Sequence, residues 1–339
     1  MNHGDRPFDE LDLYVRQIQS QIGCTASAIY VIHKDNVVHE RYWGRHSEDS
    51  DARAVDKQTQ FNVASIRKTY LALAISLLIE KRLIGSIDDA FADYLPDYAE
   101  VASGVTLRHL LTHTHGLNID RQDGVLIKEF EAGTSWAYRN AGIGLLIELV
   151  RRLSGQPLSE LLQQQLFGPA GWNETGWRTE RNERLIYNHY EAEDNWVGPN
   201  DSSAGDQSNL FVSARELAAW GQLHLRRGKL RQGGEPLFPQ QVFDRILTIQ
   251  TPASVPQSMP RNSFIWWLQH QTPSNEIGDH LPEGSFQVLG ITGCACLVIP
   301  RYDAVIVRMY NQLRNPGDYD YLADIRTFGN LALAGIARL

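Results

Sequence analysis

Apolar positions along the chain set out most of its elements. Between residues 8 and 22, Leu11, Tyr14, Val15, Ile18 and Ile22 recur at helical spacing, which predicts an amphipathic first helix. Residues 26–32 and 37–43 are rich in β-branched and aromatic side chains. They flank Lys34-Asp35-Asn36, which reads as a hairpin. From residue 65 to 82 the pattern is helical but apolar nearly all round (Leu71, Leu73, Ile75, Leu77, Leu78, Ile79). A helix without a polar face belongs in the interior. Further helices are expected at 107–112, 142–153, 157–166 and 215–227. Strands return at 264–269, 286–289, 295–299 and 304–310, and Gly-Asp-Tyr-Asp at 317–320 leads into a closing helix through Ile336. This order predicts a layered α/β (α+β) fold, with an antiparallel sheet built from both chain ends, flanked by helices, and a mostly helical insertion. Residues 1–86 and 208–339 would form the sheet domain and 87–207 the insertion, with a cleft between them.

Composition narrows the function classes. Lys and Arg number 32 against 40 Asp and Glu, a net charge of −8. Such a surface suits neither nucleic acid nor anionic membrane. The basic run Arg226, Arg227, Lys229, Arg231 is short and reads as a solvated helix end. The acidic, polar start lacks the pattern of a signal peptide, and the longest apolar run, 71–79, is far too short to span a bilayer. Cys24, Cys294 and Cys296 make no disulfide framework, and the last two share one face of a strand. The expectation is a cytoplasmic protein with reduced thiols, or a periplasmic or secreted one if a leader has been removed.

Three phrases carry candidate chemistry. Ser65-Ile-Arg-Lys68 opens the buried helix. There Ser65 has unpaired N–H groups and the positive end of the helix dipole beside it, which suits a developing oxyanion. Lys68 lies on the same face one turn deeper, where apolar surroundings disfavour its charge and make it a base. The second phrase is Tyr138-Arg139-Asn140. A Tyr beside a Lys can be partly phenolate and relay a proton, and Asn140 can hold both the Lys and a substrate carbonyl. The third, Gly290-Ile291-Thr292-Gly293-Cys294, is a Gly-flanked turn into a strand whose backbone can pair with a substrate and complete an oxyanion hole.

With these phrases in order, the chain resembles the serine β-lactamase-related hydrolases: class C β-lactamases, D-alanyl-D-alanine carboxypeptidases and other penicillin-binding proteins, and their esterase and amidase relatives. Also similar to that family are Val105-Thr-Leu-Arg-His-Leu-Leu-Thr-His-Thr-His-Gly-Leu117, Tyr94-Leu95-Pro96, the helix ending Ser154-Gly155, and the start Ser213-Ala214-Arg215-Glu216. The resemblance spans residues 25–310. It implies Ser65 as the acylated nucleophile, Lys68 as its base partner and Tyr138 as proton relay. It further implies Asn140, Thr292, Gly293 and Cys294 as substrate-binding residues, with an oxyanion hole from the Ser65 and Cys294 N–H groups. No metal or other cofactor is implied. One departure stands out. Relatives that handle penicillins usually place Lys or His before Thr-Gly, and here that position is Ile291. Losing a charge-assisted hydrogen bond weakens a carboxylate ligand by about 1.5–3 kcal/mol, which tilts the expectation toward an esterase or amidase.

Other readings stand beside this one. A β-lactamase or D,D-peptidase is the nearest alternative, and a non-catalytic binding or sensor protein that kept the fold is another. His109, His113 and His115 invite a metal reading, but the phrase is a turn without a carboxylate partner, and His115 fits local hydrogen bonding better. Of Trp266 and Trp267, adjacent in a strand, one should be core and the other can wall a pocket. The expected partner is a small ester, amide or short peptide, with oligomeric state left open.

Overall fold

The computed structural model describes residues 6–190, 195–270, 275–313 and 316–339. Its main sheet has six antiparallel strands in the order Trp267–Leu268, Phe286–Leu289, Ala295–Ile299, Ala304–Tyr310, Ala26–His33 and Asn36–Gly44. Both chain ends therefore supply it. Lys34 and Asp35 take φ of 50° and 64°, the left-handed pair a two-residue hairpin needs between strands of right-handed twist.

Several strands read as unbroken apolar runs because both faces of the sheet are covered. Ile29, Val31, Leu297, Ile299 and Ile306 point to one side, where helices Asp9–Gln21 and Tyr321–Ile336 lie against them. Ala28, Cys296, Val298, Val305 and Val307 point to the other, toward helices Ala214–Leu225 and Arg67–Glu80. Period-two alternation is thus present, with both sets apolar. Arg308 in the sheet and Asp324 in the closing helix form a buried ion pair at 2.8 Å, and the Tyr14 hydroxyl of the first helix also donates to Asp324 at 3.0 Å. The three elements are bound at one polar point inside an apolar layer.

The helix Arg67–Glu80 is buried at every position from Arg67 to Leu78, as its all-round apolarity predicts. It packs against Asn140–Ser154 and Gln240–Ile246. A three-stranded sheet joins Gln60–Asn62, Leu210–Ser213 and Gly176–Trp177, holding the chain that enters this helix.

Some elements differ from expectation. The strand expected at 264–269 shrinks to Trp267–Leu268, because Ile265 takes φ 66° and turns its N–H to Leu111 and Ser263 carbonyls. The helix expected at 157–166 is Leu158–Leu162 continued by a wider π-type turn, Gln163–Phe167. The middle segment also carries hairpins, Leu117–Ile119 with Leu126–Lys128 and Asn188–Tyr190 with Asn195–Val197. Among the described residues, no helix is long and apolar enough to cross a membrane.

Candidate active site

Ser65 lies in a single 3-10 turn, Ala64–Ile66, that opens the buried helix. Ala64 before it takes φ 44°, an uncommon backbone state for a side chain with a Cβ. Its N–H donates to Asn62 Oδ1 at 2.8 Å, which holds that conformation. No hydrogen-bond partner meets the Ser65 N–H among the described residues, as expected in the first turn of a helix.

The turn carrying Thr292 is pinned to the same spot. Thr292 Oγ1 donates to the Asn62 carbonyl at 2.8 Å. Gly290 approaches the Val63 carbonyl so closely that a Cβ would lie 2.4 Å from that oxygen, so glycine alone permits the contact. Gly293 N–H closes the turn onto the Gly290 carbonyl at 2.9 Å. Gly293 therefore has a structural role here and offers no donor to a substrate. The Cys294 thiol is buried, 3.4 Å from the Tyr310 carbonyl, and burial raises its pKa; it is shut away from the cleft. The Cys294 N–H has no partner among the described residues, leaving the two amides expected of an oxyanion hole both unpaired.

Ser65, Lys68, Tyr138, Asn140 and Thr292 share a cleft of about 670 Å³, brought together from distant parts of the chain. Lys68 Nζ lies 2.5 Å from the Tyr138 hydroxyl and 2.8 Å from Asn140 Oδ1. Asn140 thus turns its oxygen to the lysine, leaving its NH₂ for a substrate carbonyl, an orientation assigned from this hydrogen-bond network. Arg139, between Tyr138 and Asn140, points away and pairs with Glu129 at 2.8 Å.

The electrostatics of this group follow from burial. Lys68, 2% exposed, has its pKa lowered to about 7, first by burial and then by the charge of Arg67. Tyr138 moves upward. Crowding around its hydroxyl end is the largest cause; a hydrogen bond with Ser65 opposes it, Glu276 adds to it and Arg67 opposes it. The expectation of a partial phenolate gives way to a neutral phenol beside an amine that is about half neutral near pH 7. His113 lies under this pair with its ring centroid 4.5 Å from that of Tyr138, and burial keeps it neutral. His109 caps its own helix through Thr106, and His115 Nδ1 accepts from the Leu117 N–H at 2.9 Å. His109 and His115 thus bond locally through Nδ1, whereas neither ring nitrogen of His113 has a hydrogen-bond partner among the described residues.

Ile291 is 57% exposed on the cleft rim. Arg67 is buried against Ser208 and does not line the cleft. Of the tryptophan pair, Trp266 is core and Trp267 walls the cleft, facing Trp136 at 5.6 Å between centroids. Sequence reasoning missed Trp136, Glu276 and Tyr321, which complete that wall. Trp136 stands two residues before Tyr138 and was open to discovery by proximity; the other two belong to no phrase.

Comparison with known proteins shows the family and the fold. The family model described as Beta-lactamase matches residues 11–329. An uncharacterized protein of Alkalihalophilus pseudofirmus is 40% identical over 325 residues, 95% of each chain. Penicillin-binding protein 4* of Bacillus subtilis is 33% identical over 43% of this chain and 36% of its own length. A solved class C beta-lactamase superposes with TM-score 0.77 at 16% identity, covering 100% of this chain and 99% of that one, which is a likeness of fold. With its family model spanning nearly the whole chain, this protein belongs to the beta-lactamase family of serine hydrolases.

Proposed function

We propose that the protein hydrolyses esters or amides through a covalent acyl-enzyme on Ser65. The observation that carries this reading is the placement of Lys68 Nζ between Tyr138 and Asn140 in the cleft that Ser65 opens into. Neutral Lys68 takes the Ser65 proton by way of the Tyr138 hydroxyl as Oγ bonds to the substrate carbonyl carbon. The Ser65 and Cys294 N–H groups stabilise the oxyanion. The bond to the leaving alcohol or amine then breaks, and the proton returns through Tyr138 to the leaving group. Water repeats the sequence on the acyl-enzyme and frees Ser65. A fluorophosphonate probe should leave one adduct, mapped by mass spectrometry to Ser65. An adduct elsewhere, or none, would count against the assignment.

Tyr138→Phe keeps the ring and removes the relayed proton. We expect kcat to fall by about 10²–10⁴-fold with KM little changed. A change confined to KM would move Tyr138 from proton transfer to binding.

Penicillin recognition is the second reading, favoured by the family match. The cleft opposes it, because Ile291 offers nothing to the carboxylate that β-lactams and peptide C-termini share. Given a free acid and its methyl ester, the wild type should prefer the ester by about tenfold or more in kcat/KM, and Ile291→Lys should shift that preference toward the acid by a similar factor. The exposure of Ile291 means a polar side chain fits there. A wild type that already prefers the acid would reverse the order of the two readings.

A further inference from the structure

We propose that Glu276 holds the ammonium of an amine-bearing ester or amide in the aromatic part of the cleft, making it a specificity residue of the hydrolase proposed above. The inference rests on that reading for its kinetics but not for its binding. Glu276 lines the same cleft as Ser65. One carboxylate oxygen accepts from the Tyr321 hydroxyl at 3.0 Å, and among the described residues no cation pairs with it. A carboxylate can accept about four hydrogen bonds, so capacity is left on the cleft side. Its pKa is raised by burial, the direction expected of a carboxylate waiting without a counter-ion.

The surroundings select the same ligand chemistry. Trp136, Trp267 and Tyr321 supply ring surfaces around Glu276, and aromatic faces attract cations. Among the described residues an anion would meet Glu276 with no compensating cation on the cleft wall except Lys68, whose charge is half gone near pH 7. An ammonium instead gains a carboxylate and aromatic faces together. The loss of the cation at Ile291 and the presence of Glu276 therefore act in one direction, turning the cleft from acid-bearing toward amine-bearing substrates.

The test uses ω-aminoacyl methyl esters with one to five methylenes, each beside its N-acetyl counterpart. At the best spacing the wild type should prefer the free amine by at least about tenfold in kcat/KM, and Glu276→Gln, which keeps an oxygen for Tyr321, should reduce that ratio by a similar factor. Binding of phenethylammonium, read by tryptophan fluorescence in Ser65→Ala, separates this proposal from the catalytic one. Affinity should drop at least about tenfold when Glu276→Gln is added, whether or not any ester is turned over. An amine preference unchanged in Glu276→Gln, or phenethylammonium binding that ignores it, would overturn the proposal. Turnover of N-acetyl esters with no amine preference at any spacing would overturn it while leaving Ser65 in place.

Discussion

Ser65→Ala should reduce turnover of an activated ester such as p-nitrophenyl acetate by at least about 10³-fold while the near-ultraviolet circular dichroism stays that of the wild type. The size of the loss follows from the site. In the proposed reaction Lys68, Tyr138 and the unpaired amides of Ser65 and Cys294 all act on a bond that Ser65 Oγ must first form, so removing that one oxygen should idle the rest. What remains is polarisation of the carbonyl toward bulk water. The fold should not respond, because Ser65 is only partly buried and the turn Ala64–Ile66 is held by the Asn62 side chain and not by the Ser65 hydroxyl. Near-wild-type turnover in this variant would place the nucleophile elsewhere and remove the basis of the proposed reaction.

Legibility in the sequence tracked how local the cause of each feature was. The helix Arg67–Glu80 could be read because its apolarity on every side has one physical solution, complete burial. The sheet strands could be read from β-branched runs, and their supply by both chain ends from the order of elements. The strand around Trp267 was over-extended because nothing in Phe264-Ile265-Trp266 announces that Ile265 adopts a left-handed backbone; its N–H bond to the Leu111 carbonyl is a tertiary contact. The short strand Gln60–Asn62 has too few residues to show a period. Ser65, Lys68, Tyr138 and Asn140 stood out since each sits in a phrase with a chemical logic of its own. Glu276 did not. In Asn275-Glu276-Ile277-Gly278-Asp279 it is indistinguishable from a solvated loop carboxylate, and only the closing helix, which brings Tyr321 against it, turns it toward the cleft. Tyr138 shows the same limit on a smaller scale. Its residue type suggested a relay, but the direction of its pKa depends on burial, on Ser65 and Arg67 at one helix start, and on Glu276 far along the chain.

Lys68→Met should abolish activity and yet stabilise the fold. Lys68 is 2% exposed, and its hydrogen-bond partners, Tyr138 and Asn140, are both neutral. Its pKa of about 7 lies below the ordinary 10.5, so between those values the unfolded chain binds a proton that the folded one does not. Stability then rises with pH through that window, and the full penalty, on the order of 5 kcal/mol, applies below about pH 7. Met has a similar length and fills the space that Ala would leave as a cavity. Asn140 is exposed enough for water to replace the lost contact. The variant should therefore gain on the order of 1–4 kcal/mol at pH 7 in urea unfolding. Its advantage over the wild type should shrink as the pH is raised toward 10. Activity should fall by at least about 10³-fold, and the double variant Ser65→Ala, Lys68→Met should be scarcely worse than either single one, since the two residues act as a unit. In the wild type, kcat/KM for a neutral ester should climb with pH and level off above about 7 as Lys68 becomes a free amine. A Lys68→Met protein that is less stable than the wild type at pH 7, with the same dependence on pH, would show that Lys68 is not held against its charge. Such a lysine would lack the poise of a base, and the proton path through Tyr138 would need another acceptor.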